Sequence, residues 1–246
     1  MRKGRCRVHV LTAAAAPTAV IMRRGPSAWW HLLAWDLRAG ELTPGAWLRG
    51  TLYPGRSALS PDGKLLGYFA LGHGRHPWDT YFAVSKAPWL TALAAWHTNG
   101  TWTEGCEFAA DNSLTISGSV DRLPFHGRYP YGARAGGLTG RPHGWLPVPG
   151  AAGLLRRVQP GGEHALFTEP GGSTRYLRED ATGGRTPLPE ASWADWDARG
   201  RLLMATHAGE VKIVERRSGA WAQTWSRDLN GLTPDPAPSP PWAWAW

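Results

Sequence analysis

Short apolar runs separated by polar, glycine-rich breaks recur along the whole chain. Ala19–Met22, Leu65–Leu71, Leu114–Ser117, His164–Thr168 and Leu202–Thr206 each hold four to seven residues. That is the length of a buried strand and too short for a core helix. A tight-turn signal precedes each run: Ala16-Pro17, Ser60-Pro61-Asp62-Gly63-Lys64, Asp111-Asn112-Ser113, Gln159-Pro160-Gly161-Gly162-Glu163 and Asp197-Ala198-Arg199-Gly200-Arg201. A second signal interleaves with the first. Gly40, Gly100, Gly136, Gly183 and Gly219 each follow a strand-like run and precede a shorter one, as in Trp35-Asp36-Leu37-Arg38-Ala39-Gly40-Glu41-Leu42-Thr43. A polar residue next to glycine between two such runs predicts a hairpin, because glycine accepts positive φ without a steric penalty. Two alternating turns per unit predict four short antiparallel strands, and the spacing predicts five units.

A four-stranded sheet of this size cannot cover both of its faces alone, whereas radial stacking of several covers them and shields their edges. Ser60–Ala70, read as SPDGKLLGYFA, resembles the blade motif of the TolB-like and WD40-like β-propellers, in which the turn joins a blade's first and second strands. The resemblance implies an all-β chain with a single five-bladed propeller over residues 7–227. Residues 1–6 are then a basic N-terminal arm, and residues 228–246 a proline-rich spacer with a tryptophan-rich tail. A two-sheet sandwich with decorated hairpins is the competing arrangement.

Composition agrees with a turn-rich fold. The 246 residues include 31 glycines and 21 prolines, which disfavours long helices. The net charge of +8 is concentrated at the front: Arg2, Lys3, Arg5, Arg7, Arg23 and Arg24 all precede the first acidic residue, Asp36. This reads as a solvated basic terminus rather than the basic stripe of a nucleic-acid groove, so no nucleic-acid partner is expected. The chain has no run of 18 apolar residues, so no transmembrane segment is expected. Residues 1–16 read either as a charged start followed by short strands or as a weak signal-like segment. The first reading favours a cytoplasmic location, the second a secreted or periplasmic one. Cys6 and Cys106 have no metal-ligand spacing and imply no disulfide.

Candidate chemistry is sparse. His73 and His76, with Asp79 close behind, are weak metal-ligand candidates on a predicted loop. No G-x-S-x-G elbow or phosphate loop occurs, and Cys106 has His97 nine residues before it but no evident orienting group. The first predicted blade lacks the inner-strand carboxylate that propeller glycosidases use, so neither catalytic residues nor cofactors are expected. The 16 tryptophans carry the remaining signal. Trp78, Trp102, Trp145, Trp242, Trp244 and Trp246 are the candidate binding surface, the last three in a Trp-Ala-Trp-Ala-Trp tail after Pro234–Pro241. Alternation predicts an extended tail with its indoles on one side, docked on the body. The function expected is a non-catalytic binding or protein-interaction module with a protein partner. A carbohydrate-binding, lectin-like propeller is the alternative, and a funnel-site hydrolase comes third.

Overall fold

The computed structural model describes residues 5–72, 74, 76–103, 105–138, 144–169 and 175–246. The chain is all-β, a five-bladed propeller built of five small sheets. Among the described residues, helix is confined to two single 3-10 turns, Pro54–Arg56 and Pro241–Ala243, and no helix is long and apolar enough to cross a membrane. Two compact units divide the chain: residues 10–140 with 233–246, and residues 1–9 with 141–232.

The first unit holds three sheets, except Arg7–His9 at the start of the first. In the first, β1 (Arg7–Thr12), β2 (Thr18–Arg24), β3 (Trp29–Asp36) and β4 (Glu41–Arg49) follow one another in space as in sequence. The pleat sorts their side chains. Val20, Met22, Trp30 and Leu32 join a buried cluster with Leu52, Leu66 and Tyr68. Residues of the opposite parity, Ile21 opposite Leu33 and Arg23 opposite His31, line the other face. The second sheet has β5 (Thr51–Leu52) and β6 (Ala58–Leu59) along one edge of β7 (Leu65–Leu71), followed by β8 (Thr80–Lys86) and β9 (Ala94–His97). β5 and β6 are one inner strand interrupted by the Pro54–Arg56 turn. The third sheet contains β10 (Cys106–Phe108), β11 (Leu114–Ile116) and β13 (Ala133–Ala135), with β11 and β13 parallel. β12 (His126–Gly127) lies between these in sequence but pairs with β9 as the outer strand of the second sheet.

The other unit holds the fourth and fifth sheets. β14 (Leu146–Pro147), β15 (Leu155–Val158), β16 (Ala165–Glu169), β17 (Arg175–Glu179) and β18 (Arg185–Pro187) form one meander. β19 (Ala191–Trp196), β20 (Leu202–Thr206), β21 (Glu210–Arg217) and β22 (Ala220–Asp228) form the other. Its core gathers Trp145, Leu166, Tyr176, Trp196, Leu202 and Met204. Within this unit the buried Cys6 is fixed by its N–H to Asn230 Oδ1 at 3.0 Å.

The first family of turns lies where the apolar runs place it. Ala16-Pro17, the Ser60 turn, the Asn112 turn, the Pro160 turn and the Asp197 turn each lead into the second strand of a sheet's inner pair. At Ser60–Lys64 the chemistry is explicit. Ser60 Oγ donates to Asp62 at 2.6 Å and accepts the Leu65 N–H at 2.9 Å, while the Gly63 N–H closes on the Ser60 carbonyl. The second family is only partly hairpins. Gly40, Gly183 and Gly219 join paired strands β3–β4, β17–β18 and β21–β22. Gly100 and Gly136 do not, because the chain leaves its sheet after each of them. The blades are accordingly not all four antiparallel strands. The third has three strands with a parallel pair, the second gains β12 at its outer edge, and the fourth gains β14 beside β15, at the edge opposite β18.

The tail also departs from the extended strand expected. Pro241 starts a 3-10 turn, its ring presetting the φ that the turn needs. Trp244 Nε1–H then donates to the Ser239 carbonyl at 2.8 Å. The fully buried residue is Ala243, while Trp242, Trp244 and Trp246 remain 54%, 60% and 41% exposed. Thr91 Oγ1 holds Ser239 at 2.7 Å, and Trp246 sets its ring edge-on to Tyr129 at 5.3 Å.

Candidate functional site

Four segments of the unit with the first three sheets converge on a groove of about 690 Å³, lined by Arg56, Thr101–Thr103, Ser117 with Gly118, and Ala135–Gly137. The Pro54–Arg56 turn supplies the cation. Its geometry is set by the Arg56 N–H on the Tyr53 carbonyl and the Ser57 N–H on the Pro54 carbonyl, both 3.0 Å. The guanidinium then lies 4.7 Å from the Tyr53 ring and 5.4 Å from the Phe69 ring, with Nη1 donating to the Thr101 carbonyl at 2.9 Å. A long, flexible side chain is thereby held in one orientation before any ligand arrives.

The second loop leaves β9 at Thr98 and crosses to β10. Thr103 Oγ1 donates to the Ser117 carbonyl at 2.7 Å and accepts the Gly105 N–H at 3.2 Å, tying the loop to the end of β11. The approach is close enough to require glycine twice. Gly118 has φ +86°, and a Cβ there would sit 2.5 Å from the Trp102 carbonyl oxygen. Gly105 has φ +129°, and a Cβ would meet the Arg56 backbone at 2.9 Å. Held in this way, Trp102 is 88% exposed. The fourth segment, Ala135–Gly137, continues from β13 and carries almost no side-chain bulk.

Beneath this groove lies Cys106, buried, with its thiol pushed up to about 12 by burial. It is a packing residue rather than a nucleophile. His97, weighed against it in the sequence, is stacked on Phe125 at 4.0 Å.

The other sequence candidates fall in different places. Trp78 is half-buried among Tyr81, Phe125 and His126, with ring centroids 5.0, 4.9 and 5.3 Å away. Trp145 is not a surface residue. It is 5% exposed and sits edge-on to Tyr176 in a core cluster. His73 lies outside the described residues. His76 is exposed with its ring 6.1 Å from that of His97, and Asp79 caps its own loop by accepting the Gly74 N–H at 2.7 Å. Among the described residues, no three His, Cys, Asp or Glu side chains come together as a metal site. Only Trp102 of the six tryptophan candidates lines the groove.

Sequence reasoning did not single out Arg56, Thr101, Thr103, Ser117, Ala135 or Gly137 as site residues, and read Gly136 only as a hairpin glycine. Their only local sign was their position beside glycine and proline turns, which is shared by most of this chain.

No protein-family model matches the chain, and no curated protein matches it. Among solved structures it is similar to the hydrazine synthase of Kuenenia stuttgartiensis, with a TM-score of 0.39 and 14% identity over 84% of this chain and 76% of that one. It is also similar to the WD40 domain of SCAP from fission yeast, with a TM-score of 0.27 and 12% identity over 91% of this chain. The match covers 47% of that second protein, so this chain spans less than half of its length.

Proposed function

We propose that this chain is a non-catalytic protein-interaction module and that the Arg56–Trp102 groove is its contact site. One observation carries the reading: an indole left 88% exposed beside a guanidinium already stacked in place. Trp and Arg are the residue types that dominate binding energy at protein interfaces, and a fixed Arg gives up little freedom on binding. The Ser60–Lys64 turn supports a place near the TolB-like and WD40-like propellers, with residues 7–227 as the body. Cys106 is a buried free thiol, which suits a reducing compartment such as the cytoplasm.

The hydroxyls of Thr101, Thr103 and Ser117 around the same indole favour carbohydrate as the second reading. Crosslinking and capture from the source cell with wild type, Trp102→Ala and Arg56→Gln tests the choice. A protein recovered by wild type and lost with both variants supports the proposal. Capture unaffected by either substitution, or glycan-array binding that Trp102→Ala abolishes, rejects it.

A further inference from the structure

We propose that the groove takes an extended acidic peptide, which adds to the third sheet as a new strand alongside β13. This rests on the protein-interaction reading above and specifies how the partner is held.

The first support is the edge itself. Among the described residues β13 pairs with β11 alone, in register Leu114 with Ala133 and Ile116 with Ala135. The Leu114 N–H bonds to the Gly132 carbonyl and the Gly136 N–H to the Ile116 carbonyl. In a parallel ladder, bonding groups alternate along the strand. Those of Gly132, Arg134 and Gly136 therefore face β11, and the N–H and C=O groups of Ala133 and Ala135 face the other way. These outward groups have no backbone partner among the described residues, and Arg134 and Ala135 are exposed. Two residues apart, they are spaced by roughly 6.5–7 Å, the repeat that an added strand matches.

The second support is what the edge leads to. Ala135, Gly136 and Gly137 are both the end of this strand and one wall of the groove. With no side-chain bulk, that wall lets another backbone approach closely. A strand laid along Ala133–Ala135 would run on between Trp102 and Arg56.

Charge completes the choice of occupant. The described lining residues include one ionised group, Arg56, and the edge strand adds the exposed Arg134. A carboxylate on the peptide would find a guanidinium already oriented by two rings. The side chain on the same face of the peptide, two positions away, would meet the Trp102 indole. Strand addition gives affinity through the backbone and selectivity through alternate side chains, so two specific contacts suffice.

The probe is an array of decapeptides that carry one Asp or Glu in a Val/Thr background, screened against the full chain. The tightest binder is then titrated by fluorescence polarisation. N-methylation at alternate peptide positions should weaken binding at least tenfold, with little effect at the intervening positions. Replacing the peptide's carboxylate by its amide, or Arg56 by Gln, should each cost a similar factor, and the two together little more. These peptide changes leave the protein untouched, so its folding does not enter. Binding that Trp102→Ala abolishes but N-methylation nowhere affects would overturn strand addition and leave the interaction reading standing. No binding anywhere on the array overturns the peptide proposal. Capture of a folded partner would then still support the wider reading, whereas glycan binding lost in Trp102→Ala would remove both.

Discussion

Acidification from pH 7 to pH 5 should destabilise the first sheet through His31, and replacing that residue by Phe should remove its share of the effect, leaving that of His9 on β1, which burial also pushes down to about 4. His31 lies on β3 directly across from Arg23 on β2 and Trp47 on β4. It is 3% exposed, with its ring stacked on Trp47 at 4.0 Å and 7° between planes. Neither ring nitrogen has a hydrogen-bond partner among the described residues. Burial disfavours the imidazolium, and the Arg23 charge adds to this, so the group titrates at about 4 instead of 6.5. A base whose pKa is lowered by folding binds its proton more readily in the unfolded chain. Its contribution is therefore intact above pH 6.5 and is lost as the pH falls from 6.5 towards 4.

The magnitude comes from the shift. At pH 5 the unfolded imidazole is almost fully protonated and the folded one almost fully neutral, a difference of about 1.5 pH units. At 1.36 kcal/mol per unit this is about 2 kcal/mol, rising to about 3 kcal/mol by pH 4. His31→Phe keeps a planar ring on Trp47 and removes two buried nitrogens that have no partner, so at pH 7 it should match or exceed wild type. Urea unfolding of both proteins at pH 7 and pH 5 gives the difference of differences, in which the other histidines cancel. Amide exchange over β2 and β3 locates it. If His31→Phe loses as much stability as wild type over that interval, the assignment to His31 is wrong.

Three further outcomes are expected. Asp197→Ala should cost about 2–3 kcal/mol in urea unfolding. The 5%-exposed carboxylate accepts the Arg199 and Arg201 N–H groups and pairs with Arg201 Nε at 2.7 Å, so its loss removes the nearer of two carboxylates from a guanidinium that keeps Glu215 at 3.6 Å; a loss below 1 kcal/mol would mean the turn re-forms without it. Gly67→Ala should lower stability by about 1–3 kcal/mol, because the new Cβ would meet Cys106 Sγ at 2.8 Å, and adding Cys106→Ala should recover part of the loss. In the tail, Trp246→Ala should cost about 1 kcal/mol through its contacts with Tyr129 and Tyr131, while Trp242→Ala stays within about 0.5 kcal/mol; thermal melts that rank them the other way would contradict the packing described.

The turns before the second strands were legible because they depend on local chemistry. Ser60, Asp62 and Gly63 bond to one another within five residues, and Asp197 serves its own loop in the same way. A sequence contains all the partners of such a turn. The glycines at 100 and 136 sit in equally convincing strings, yet the path of the chain beyond them is decided by long-range pairing. After Gly100 the chain builds β10 and β11 before β12 returns to β9. The two-residue β12 has no periodicity to read, and the parallel match of β13 to β11 is invisible to a search for hairpins. Apolar alternation located inner strands, and missed outer ones that are short and half-exposed.

The groove escaped for a related reason. Trp102 was conspicuous as an exposed-type residue beside a turn, but Trp145 had the same local look and is buried. What separates them is their surroundings. Trp145 faces Tyr176 in a core cluster, whereas Trp102 stands on a loop held by Thr103 to Ser117 and by the fit of Gly118 under its carbonyl. Arg56 illustrates the same limit. In sequence it is one arginine among many after a Pro-Gly pair, and its fixed orientation comes from Tyr53 three residues back and Phe69 on β7. A binding site assembled from one residue per loop leaves no spacing to recognise. It becomes visible only when the sheet order brings residues 56, 102 and 135 to a common edge.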